Sequence, residues 1–377
     1  MGITYHNPPV KLALLAALLA AASAAGAQVV RTEEHSFRIA TVAGGLDHPW
    51  SVAFLPDGRM LVTERPGRLR VVGADGKLAP RPIDGVPQVA EVGQGGLLDV
   101  ALHPKFAENG WVYLSYAARD GTGVGTEVAR GRLAGDRLVD VQLIFRMQPK
   151  SGGGRHFGSR LVFDRAGYLY VTLGERGEQD RAQRLDDHAG KIVRLHDDGR
   201  VPADNPFAQQ AGARPEIFSL GHRNVQGAAL NPTTGKLWTI EHGAQGGDEI
   251  NVPQAGKNYG WPVITYGRDY SGAKIGEGTA KAGMEQPIYY WDPSIAPSGA
   301  AFYTADLMPE WKGNLFVGAL AGTSLHRLAL DGEKIVGEEV LLKNLGRRIR
   351  DARQGPDGAL WLLTDEPDGQ VLRVGPR

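Results

Sequence analysis

The sequence predicts an all-β fold, a six-bladed β-propeller that carries long loops on one face. One unit recurs along the chain: a short apolar strand, a polar turn rich in Asp, Asn, Pro and Gly, and a second strand with aromatic and β-branched residues. The 52 glycines and 23 prolines indicate many tight turns rather than long helices. A helical turn is expected only within residues 182–195.

The unit occurs in six copies. They span residues 50–63, 96–116, 159–173, 227–240, 298–317 and 352–364. Two strands cannot bury their apolar faces alone, whereas four-stranded blades packed around an axis can. We therefore expect residues 28–377 to form one propeller domain; the alternative, a β-sandwich, does not explain a repeated whole unit. The longest insertions, at residues 118–157, 174–226 and 241–297, are expected to be functional loops.

The N-terminus predicts export. Lys11 precedes an apolar run over residues 12–22, and Ala25-Gly-Ala27 fits the small-residue rule for signal cleavage. We interpret residues 1–27 as a secretory signal peptide, which makes the protein secreted and periplasmic. The apolar run is shorter than the roughly 20 residues needed to cross a bilayer, and no later segment is longer, so no membrane span is expected.

Composition and missing motifs exclude several classes of protein. The 42 basic and 42 acidic residues cancel, which favours a small neutral substrate over nucleic acid. The absence of cysteine excludes disulfides and thiolate metal sites. No G-x-G-x-x-G, P-loop, G-x-S-x-G or H-E-x-x-H pattern is present, so a nicotinamide enzyme on a Rossmann domain is not expected.

Two polar segments precede the third and fourth copies of the unit. His156 lies among glycines, where it is poorly placed for core packing and can serve as a general base. The alternative is a loop histidine bonded to backbone. Arg223 and Asn224 are adjacent donors, and the arginine fork suits carboxylate or quinone oxygens. The alternative for Arg223 is a structural link between blades.

Further candidates lie in three other loops. Residues 241–251 combine glycines with Asp248 and Glu249, an oxygen-rich set that suits calcium, although a solvated acidic turn is equally compatible. Arg348 and Arg350 alternate, so on a strand they share one face, which favours an anion such as a polycarboxylate cofactor between them. A solvated strand edge is the alternative. Gln94 is either a contact to a sugar hydroxyl or a turn residue.

Several short motifs follow one another in a fixed order. They are Pro49-Trp-Ser51 with Thr63-Glu-Arg65, Gln94-Gly-Gly-Leu-Leu98, His156 with Arg160-Leu161, Gly221-His-Arg-Asn224, Glu241-His-Gly243 with Asp248-Glu-Ile-Asn251, Lys257-Asn-Tyr-Gly-Trp-Pro262, Ala296-Pro-Ser298 and Arg348-Ile-Arg-Asp351. Together, from about residue 46 to 374, they resemble the soluble quinoprotein glucose and aldose sugar dehydrogenases, which use pyrroloquinoline quinone (PQQ).

The resemblance implies oxidation of an aldose sugar at C1 to the lactone, with hydride transfer to bound PQQ and electrons passed to an external acceptor. It assigns the catalytic base to His156, with Arg223 beside the quinone, and a sugar contact to Gln94. It also implies two calcium ions. The residues matched to PQQ are Arg223, Asn224, Arg348 and Arg350, and those matched to calcium are Gly243, Ala244, Asp248, Glu249 and Tyr259.

The sequence departs from the family pattern at three positions. Ala244 replaces a proline, which matters less because the backbone carbonyl is the ligand. Arg155 replaces an aspartate before the base, so another residue must orient His156, and Ala321 stands where a cofactor-binding lysine is expected. Two alternatives stay open, a calcium-dependent propeller hydrolase resembling a lactonase and a non-catalytic sugar-binding propeller. We expect a monomer or a homodimer.

Overall fold

The protein is described here by a computed structural model that covers residues 28–31 and 36–376, so the predicted signal peptide lies outside the described residues. Six antiparallel sheets surround one axis. The chain begins with β1 (Gln28–Arg31) and β2 (Ser36–Leu46), followed by β3 (Pro49–Phe54), β4 (Met60–Glu64) and β5 (Arg68–Val72) in blade 1, β6 (Leu97–Leu102), β7 (Trp111–Asp120), β8 (Gly123–Ala134) and β9 (Arg137–Arg146) in blade 2, and β10 (Leu161–Phe163), β11 (Leu169–Thr172), β12 (Lys191–Leu195) and β13 (Ile217–Leu220) in blade 3.

The second half of the chain forms the other three blades. They are β14 (Val225–Leu230), β15 (Leu237–Glu241), β16 (Asp248–Asn251) and β17 (Tyr289–Trp291) in blade 4, β18 (Pro297–Phe302), β19 (Leu315–Ala319), β20 (Ser324–Asp331) and β21 (Lys334–Leu341) in blade 5, and β22 (Ile349–Gln354), β23 (Leu360–Thr364) and β24 (Gly369–Pro376) in blade 6. The first strand of each blade contacts the first strands of both neighbours, so these six strands line the axis.

Blade 6 closes the ring with both ends of the chain. Its strand order is β1-β2-β24-β23-β22, so two N-terminal strands complete a sheet that the C-terminal strands begin. The register pairs Phe37 with Pro376 and Leu46 with Gly369 along the length of β2. The ring is therefore held shut by backbone hydrogen bonds between the two ends of the chain.

The predicted six-bladed propeller is confirmed, but the long insertions are not loops throughout, because they contain strands. Each repeated unit corresponds to the first two strands of a blade, whereas the outer strands of blades 2, 3 and 4 lie inside the stretches interpreted as loops. Outer strands are only half covered, so their pattern is weaker; β9, for example, buries few of its side chains. The expected helical turn is a 3₁₀ segment at Gln179–Gln183, which reaches only the first two residues of the predicted stretch 182–195, and β12 occupies its last five. The short helix α1 (Phe106–Asn109) was not predicted.

Apolar side chains fill the spaces between neighbouring blades. Between blades 5 and 6, Trp311 and Phe316 pack with Leu360, and the Trp311 and Phe316 ring centroids lie 4.9 Å apart. The β2 residues Phe37 and Ile39 join the same cluster. Full burial of one such side chain contributes about 1.5–3 kcal/mol, so the blades form a rigid base for the loops. Within residues 28–31 and 36–376, no helix has the length and apolar character needed to cross a membrane.

A buried ion-pair network, here named the floor cluster, crosses the axis. It consists of Asp99, Arg160, Asp351 and Arg353 from blades 2, 3 and 6. Arg160 lies 3.4 Å from Asp99 and 3.1 Å from Asp351, and Arg353 contacts the same two carboxylates at 3.1 and 3.0 Å. Two cations are thus matched by two anions, which is the condition under which buried charge is tolerated.

Candidate active site

The predicted site residues gather at one end of the axis. Gln94 precedes β6, His156 precedes β10, Arg223 and Asn224 precede β14, and Arg348 precedes β22. Each of these strands is the innermost strand of its blade. Because the innermost strands run in the same direction around the ring, the residues that precede them meet at the same face. We call this end of the axis the mouth.

His156 is paired with a carboxylate that the sequence analysis did not identify. Its Nδ1 lies 2.8 Å from Oε2 of Glu175, and both side chains are buried. The same Oε2 accepts a hydrogen bond from the backbone N–H of Gly177. This oxygen is therefore an acceptor, and the imidazole proton sits on Nδ1. The lone pair of Nε2 is left available as a base.

The surroundings of His156 favour its neutral form. Burial lowers the pKa of His156; Glu175 acts in the opposite direction, and Arg223 and Arg155 lower it further. A neutral imidazole oriented by a carboxylate is the arrangement that general-base catalysis requires. The Glu175 carboxylate also fixes the orientation of the His156 ring. It therefore does what the aspartate replaced by Arg155 would otherwise do. Arg155 itself is exposed.

Gln94 contacts the segment that carries the base. Its Oε1 accepts a hydrogen bond of 2.9 Å from the backbone N–H of His156. The carbonyl oxygen of the side chain is thereby committed to the protein. The opposite end of the amide, the Nε2 group, carries two hydrogens that can be donated to a ligand hydroxyl.

Arg223 and Asn224 present donors without partners. The backbone N–H of Arg223 donates to Glu241, and its Nη1 donates to the carbonyl of His242 at 3.3 Å. Asn224 accepts from the N–H of Gly158 through Oδ1. The Nε of Arg223 and the Nδ2 of Asn224 are buried and have no hydrogen-bond partner. Unpaired buried donors are costly, so this pair fits a ligand with acceptor oxygens.

Arg348 and Arg350 share one carboxylate. Asp365 lies 3.3 Å from Nη2 of Arg348 and 2.7 Å from Nη2 of Arg350. Burial acts to raise the pKa of Asp365, but the charge of and hydrogen bond from Arg350 outweigh it and lower the value to about 2. The expectation that the two guanidiniums share a face is therefore confirmed. The anion that joins them in the protein is Asp365, which the sequence analysis missed.

We name the arginines at this end the mouth cluster: Arg65, Arg223, Arg348 and Arg350. The Nε atoms of three of them, Arg65, Arg223 and Arg350, are buried without a partner. Asp365 forms ion pairs with Arg348 and Arg350, and the charge of Arg65 also acts to lower its pKa. The mouth cluster therefore carries excess positive charge and unused donors, in contrast to the balanced floor cluster.

His242 is close enough to the mouth for the charges of Arg223 and Arg350 to act on it, and its carbonyl accepts a hydrogen bond from Arg223. Burial and the charge of Arg223, followed by that of Arg350, lower the pKa of His242 to about 3, while its hydrogen bond to the carbonyl of Pro297 acts against them. His156 also acts on it. His242 therefore stays neutral and provides a polar wall that adds no charge to the mouth.

The loop after β15 folds tightly enough to bring backbone carbonyls together. A side chain on Gly243 would collide with the carbonyl oxygens of Gly246 and Gly247, so only glycine fits there. Ala244 is buried and forms an isolated antiparallel β-bridge with Gly246. Among the described residues, no three or more His, Asp or Glu side chains are arranged to hold a metal ion. A cation at this loop would therefore depend on carbonyl oxygens.

A second group of oxygens lies at the base of the same loop. Glu241 and Glu249 are cross-strand partners, and Asn251 donates to both carboxylates at 3.0 and 3.2 Å. Burial and then the charge of Glu241 raise the pKa of Glu249 to about 8. Oδ1 of Asn251 is buried without a partner. This unsatisfied acceptor between two carboxylates fits a hard cation. The Tyr259 ring stacks on His222, which bonds Glu241.

Asp248 differs from the other predicted calcium ligands. Its carboxylate accepts hydrogen bonds from the backbone N–H groups of Gly243, Ile295 and Ala296 and from the hydroxyl of Ser294. Both carboxylate oxygens are thus used within the protein. Asp248 holds the loop after β15 against residues 294–296, and the geometry argues against its predicted role as a metal ligand.

Ala321, another departure from the family pattern, lies in a turn in which its backbone N–H donates a hydrogen bond to the carbonyl of Ile295. No cationic side chain can come from that position. The guanidinium of Arg348 reaches the neighbouring carbonyl of Leu320 at 3.4 Å, so a cation is present beside the turn.

Comparison with known proteins identifies the family. The family described as Glucose / Sorbosone dehydrogenase matches residues 46–373. The chain belongs to this family. It is an oxidoreductase, and the resemblance inferred from the motifs is confirmed.

Members of the family with known structures share the fold closely. The chain is 51% identical over 338 residues to the aldose sugar dehydrogenase YliI of Escherichia coli, covering 88% of this chain and 91% of that protein. The apo-form crystal structure of the soluble E. coli aldose sugar dehydrogenase has a TM-score of 0.88 at 48% identity, covering 90% of this chain and all (100%) of that one. The PQQ-bound aldose sugar dehydrogenase of Streptomyces coelicolor has a TM-score of 0.74 at 29% identity, with coverages of 93% and 98%.

Proposed function

We propose that this oxidoreductase oxidises aldose sugars at C1 to the lactone, using bound PQQ and calcium, and passes the electrons to an external acceptor. The carrying observation is the His156–Glu175 pair, which leaves Nε2 as a free base beside the unpaired donors of the mouth cluster. The names of the relatives, aldose sugar dehydrogenases with one PQQ-bound form, support the substrate class and the cofactor.

The donors at the mouth fit PQQ. A planar molecule with three carboxylates and two quinone oxygens offers acceptors to Arg223, Asn224 and Arg350, each of which has a buried donor without a partner. It also offers acceptors to Arg348, which shares Asp365 with Arg350. When bound, PQQ supplies a quinone that accepts hydride from the sugar. Calcium would be held by the carbonyls of Gly243 and Ala244 and would supply positive charge to the quinone oxygen. A structural calcium would use Glu249 and the Tyr259 segment.

The side chains of the protein divide the remaining work. Nε2 of His156 takes the proton from the anomeric hydroxyl, and Glu175 stabilises the resulting imidazolium through Nδ1. Gln94 keeps its Nε2 group for a sugar hydroxyl, since Oε1 is bonded to the backbone of His156. Arg223 places fixed positive charge where negative charge develops, an arrangement that favours the transition state over the ground state.

The two alternative functions receive less support. A propeller hydrolase of the lactonase type uses several carboxylate or Asn ligands at the end of its channel, and the described residues contain no such set of three acidic or histidine side chains. A non-catalytic sugar-binding propeller does not account for the buried His156–Glu175 pair. We also propose export to the periplasm, because Lys11 and the apolar residues 12–22 form a signal-peptide pattern.

Reconstitution tests the proposal directly. Purified protein is mixed with calcium and PQQ, a panel of aldoses is added, and reduction of an artificial electron-accepting dye is followed. We expect dye reduction that requires PQQ and an aldose and is at least about 100-fold slower in the His156→Ala variant. No reduction, together with no spectral change of PQQ on mixing, would overturn the proposal. A lactone-hydrolysis assay on the same sample would then test the hydrolase.

A further inference from the structure

The peptide between Arg155 and His156 is held by side chains at both of its polar atoms. The N–H of His156 donates to Oε1 of Gln94 at 2.9 Å. The carbonyl of Arg155, across the same peptide, accepts a hydrogen bond from Nη1 of Arg176. His156 has φ +54°, in the left-handed region that non-glycine residues adopt only when their surroundings hold them there.

Arg176 makes further contacts with the same segment. Its Nη2 donates to the carbonyl of Gly153 at 2.8 Å, and its guanidinium lies 3.6 Å from the centre of the Phe157 ring. The side chain thus touches the segment on both sides of His156. Burial is the main influence on the pKa of Arg176 and lowers it to about 10, so the guanidinium is still charged at neutral pH. Residues 152–154 are all glycine and have little conformational preference of their own.

Glu175 and Arg176 are consecutive, and they act on different parts of one residue. Glu175 fixes the imidazole ring through Nδ1, and Arg176 fixes the backbone that carries the ring. Arg176 has φ +67°, so it is also held in the left-handed region. A planar guanidinium can donate to two carbonyls while stacking on an aromatic ring, which a lysine ammonium cannot do.

We propose that Arg176 is a positioning residue for the base, one that holds the left-handed backbone of His156 so that Nε2 faces the substrate. This inference rests on the proposed function. A base displaced by about 1 Å loses on the order of 100-fold in rate although it is chemically intact. Arg176 does not touch the reacting atoms, so its removal affects kcat and leaves sugar binding in place.

The test compares Arg176→Met with Arg176→Lys and with a matched control, Arg181→Lys. Arg181 is also buried and donates to a backbone carbonyl, that of Pro149, but not to the segment at residues 153–157. The first readout is the NMR titration of His156 in calcium-loaded protein without PQQ. The charged groups that act on this ring are Glu175, Arg223 and Arg155, and all three are unchanged in the variants.

We expect Arg176→Met to move the pKa of His156 upward toward 6.5, because a released ring is better solvated, and Arg181→Lys to leave it unchanged. In reconstituted enzyme, kcat of Arg176→Met should fall 10- to 100-fold with KM within 3-fold. Added guanidinium ion at low millimolar concentration should recover part of the rate, which a general loss of structure would not allow.

Three results would overturn the proposal. They are an unchanged His156 pKa with unchanged kcat in Arg176→Met, the same pKa shift in Arg181→Lys, and a rate loss without rescue that is accompanied by a lower melting temperature in both Arg176 variants. Arg176→Lys keeps the charge and serves if the methionine variant does not fold. Because the NMR titration needs neither PQQ nor sugar, absence of oxidation in the wild-type protein would contradict the proposed function without affecting this readout.

Discussion

Two arginine clusters lie on the same axis and differ in how they are compensated. In the floor cluster, Arg160 and Arg353 are matched by Asp99 and Asp351. In the mouth cluster, Asp365 pairs with two of the four arginines, Arg348 and Arg350, and three Nε atoms in the cluster have no partner. The arginines of the floor cluster are therefore fully paired with carboxylates, whereas those of the mouth cluster are only partly paired. Incomplete compensation marks the place where a ligand belongs.

Change at the mouth should therefore reduce activity without unfolding the protein. His156→Ala removes the base, which contributes about 10²- to 10⁴-fold to the rate. We expect kcat to fall by that factor, while PQQ binding and the melting temperature stay near wild-type values. Stopped-flow turnover and quinone absorbance titration measure both. Full activity in this variant would assign the base to another residue.

Change at the floor should have the opposite effect. Asp351→Asn leaves Arg160 and Arg353 with one carboxylate, and breaking a buried pair in this way costs about 3–5 kcal/mol. We expect the free energy of unfolding, measured in denaturant, to fall by that amount. The control is Asp57→Asn, which removes an exposed pair with Arg59 and should cost less than about 1 kcal/mol. Equal losses in the two variants would remove the distinction between the floor cluster and an ordinary surface pair.

A single arginine at the mouth tests incomplete compensation. Arg223→Met removes a guanidinium whose Nε has no partner, so the metal-free and quinone-free protein should lose little stability. The affinity for PQQ should fall about 10- to 150-fold, since a charge-assisted hydrogen bond contributes roughly 1.5–3 kcal/mol. Quinone titration measures the affinity for PQQ, and thermal melting measures the stability of the variant. Unchanged affinity would place the cofactor elsewhere.

Calcium should stabilise the mouth loops. A cation at 100 times its dissociation constant stabilises the native state by about 2.7 kcal/mol, which corresponds to roughly 5 °C in melting temperature. Chelation should lower the melting temperature by that amount and abolish the PQQ-dependent rate. Re-addition of calcium should restore both. A melting temperature indifferent to chelator would contradict the structural calcium at Glu249.

The smallest expected effect is in the pH profile. The base acts when neutral, and burial lowers the pKa of His156 from 6.5, so kcat/KM should persist below pH 6.5 and be lost as the pH falls through the lowered value. In Glu175→Gln the influence that raises this pKa is removed, so the acid limb should move further down while kcat also falls. An acid limb above pH 6.5 in the wild-type enzyme would contradict this environment for His156.

The sequence predicted what repeats and what resembles a known pattern. The six strand–turn–strand copies are the inner halves of the blades, because inner strands are buried on both faces and read as apolar runs. The sequence predicts loops where the outer strands lie, because the exposed faces of these strands dilute the apolar pattern. The sequence identifies His156, Arg223 and Arg348 in loops that precede inner strands and Arg350 at the start of β22, and all four lie at the mouth.

Glu175 and Asp365 do not stand out in the sequence, because the polar motifs lie before the first strand of each copy and these two residues follow the second strand. A residue that follows the second strand returns to the same end of the axis, since the two strands are antiparallel. Glu175 follows β11 and Asp365 follows β23. The signal was therefore present, as charged residues directly after the second strand. The His156–Glu175 and Arg350–Asp365 pairs themselves cannot be predicted from the sequence, because each joins two segments that meet only in the folded chain.

The closure of blade 6 has a consequence for biosynthesis. The last strand, β24, lies between β2 and β23, so the sheet has no continuous ladder until residues 369–376 have been made. Arg348, Arg350 and Asp365 belong to this same late segment. Until residues 348–376 are made, both the closing ladder of blade 6 and two arginines of the mouth cluster are missing. Closure of the ring and completion of the mouth cluster therefore depend on the same late part of the chain.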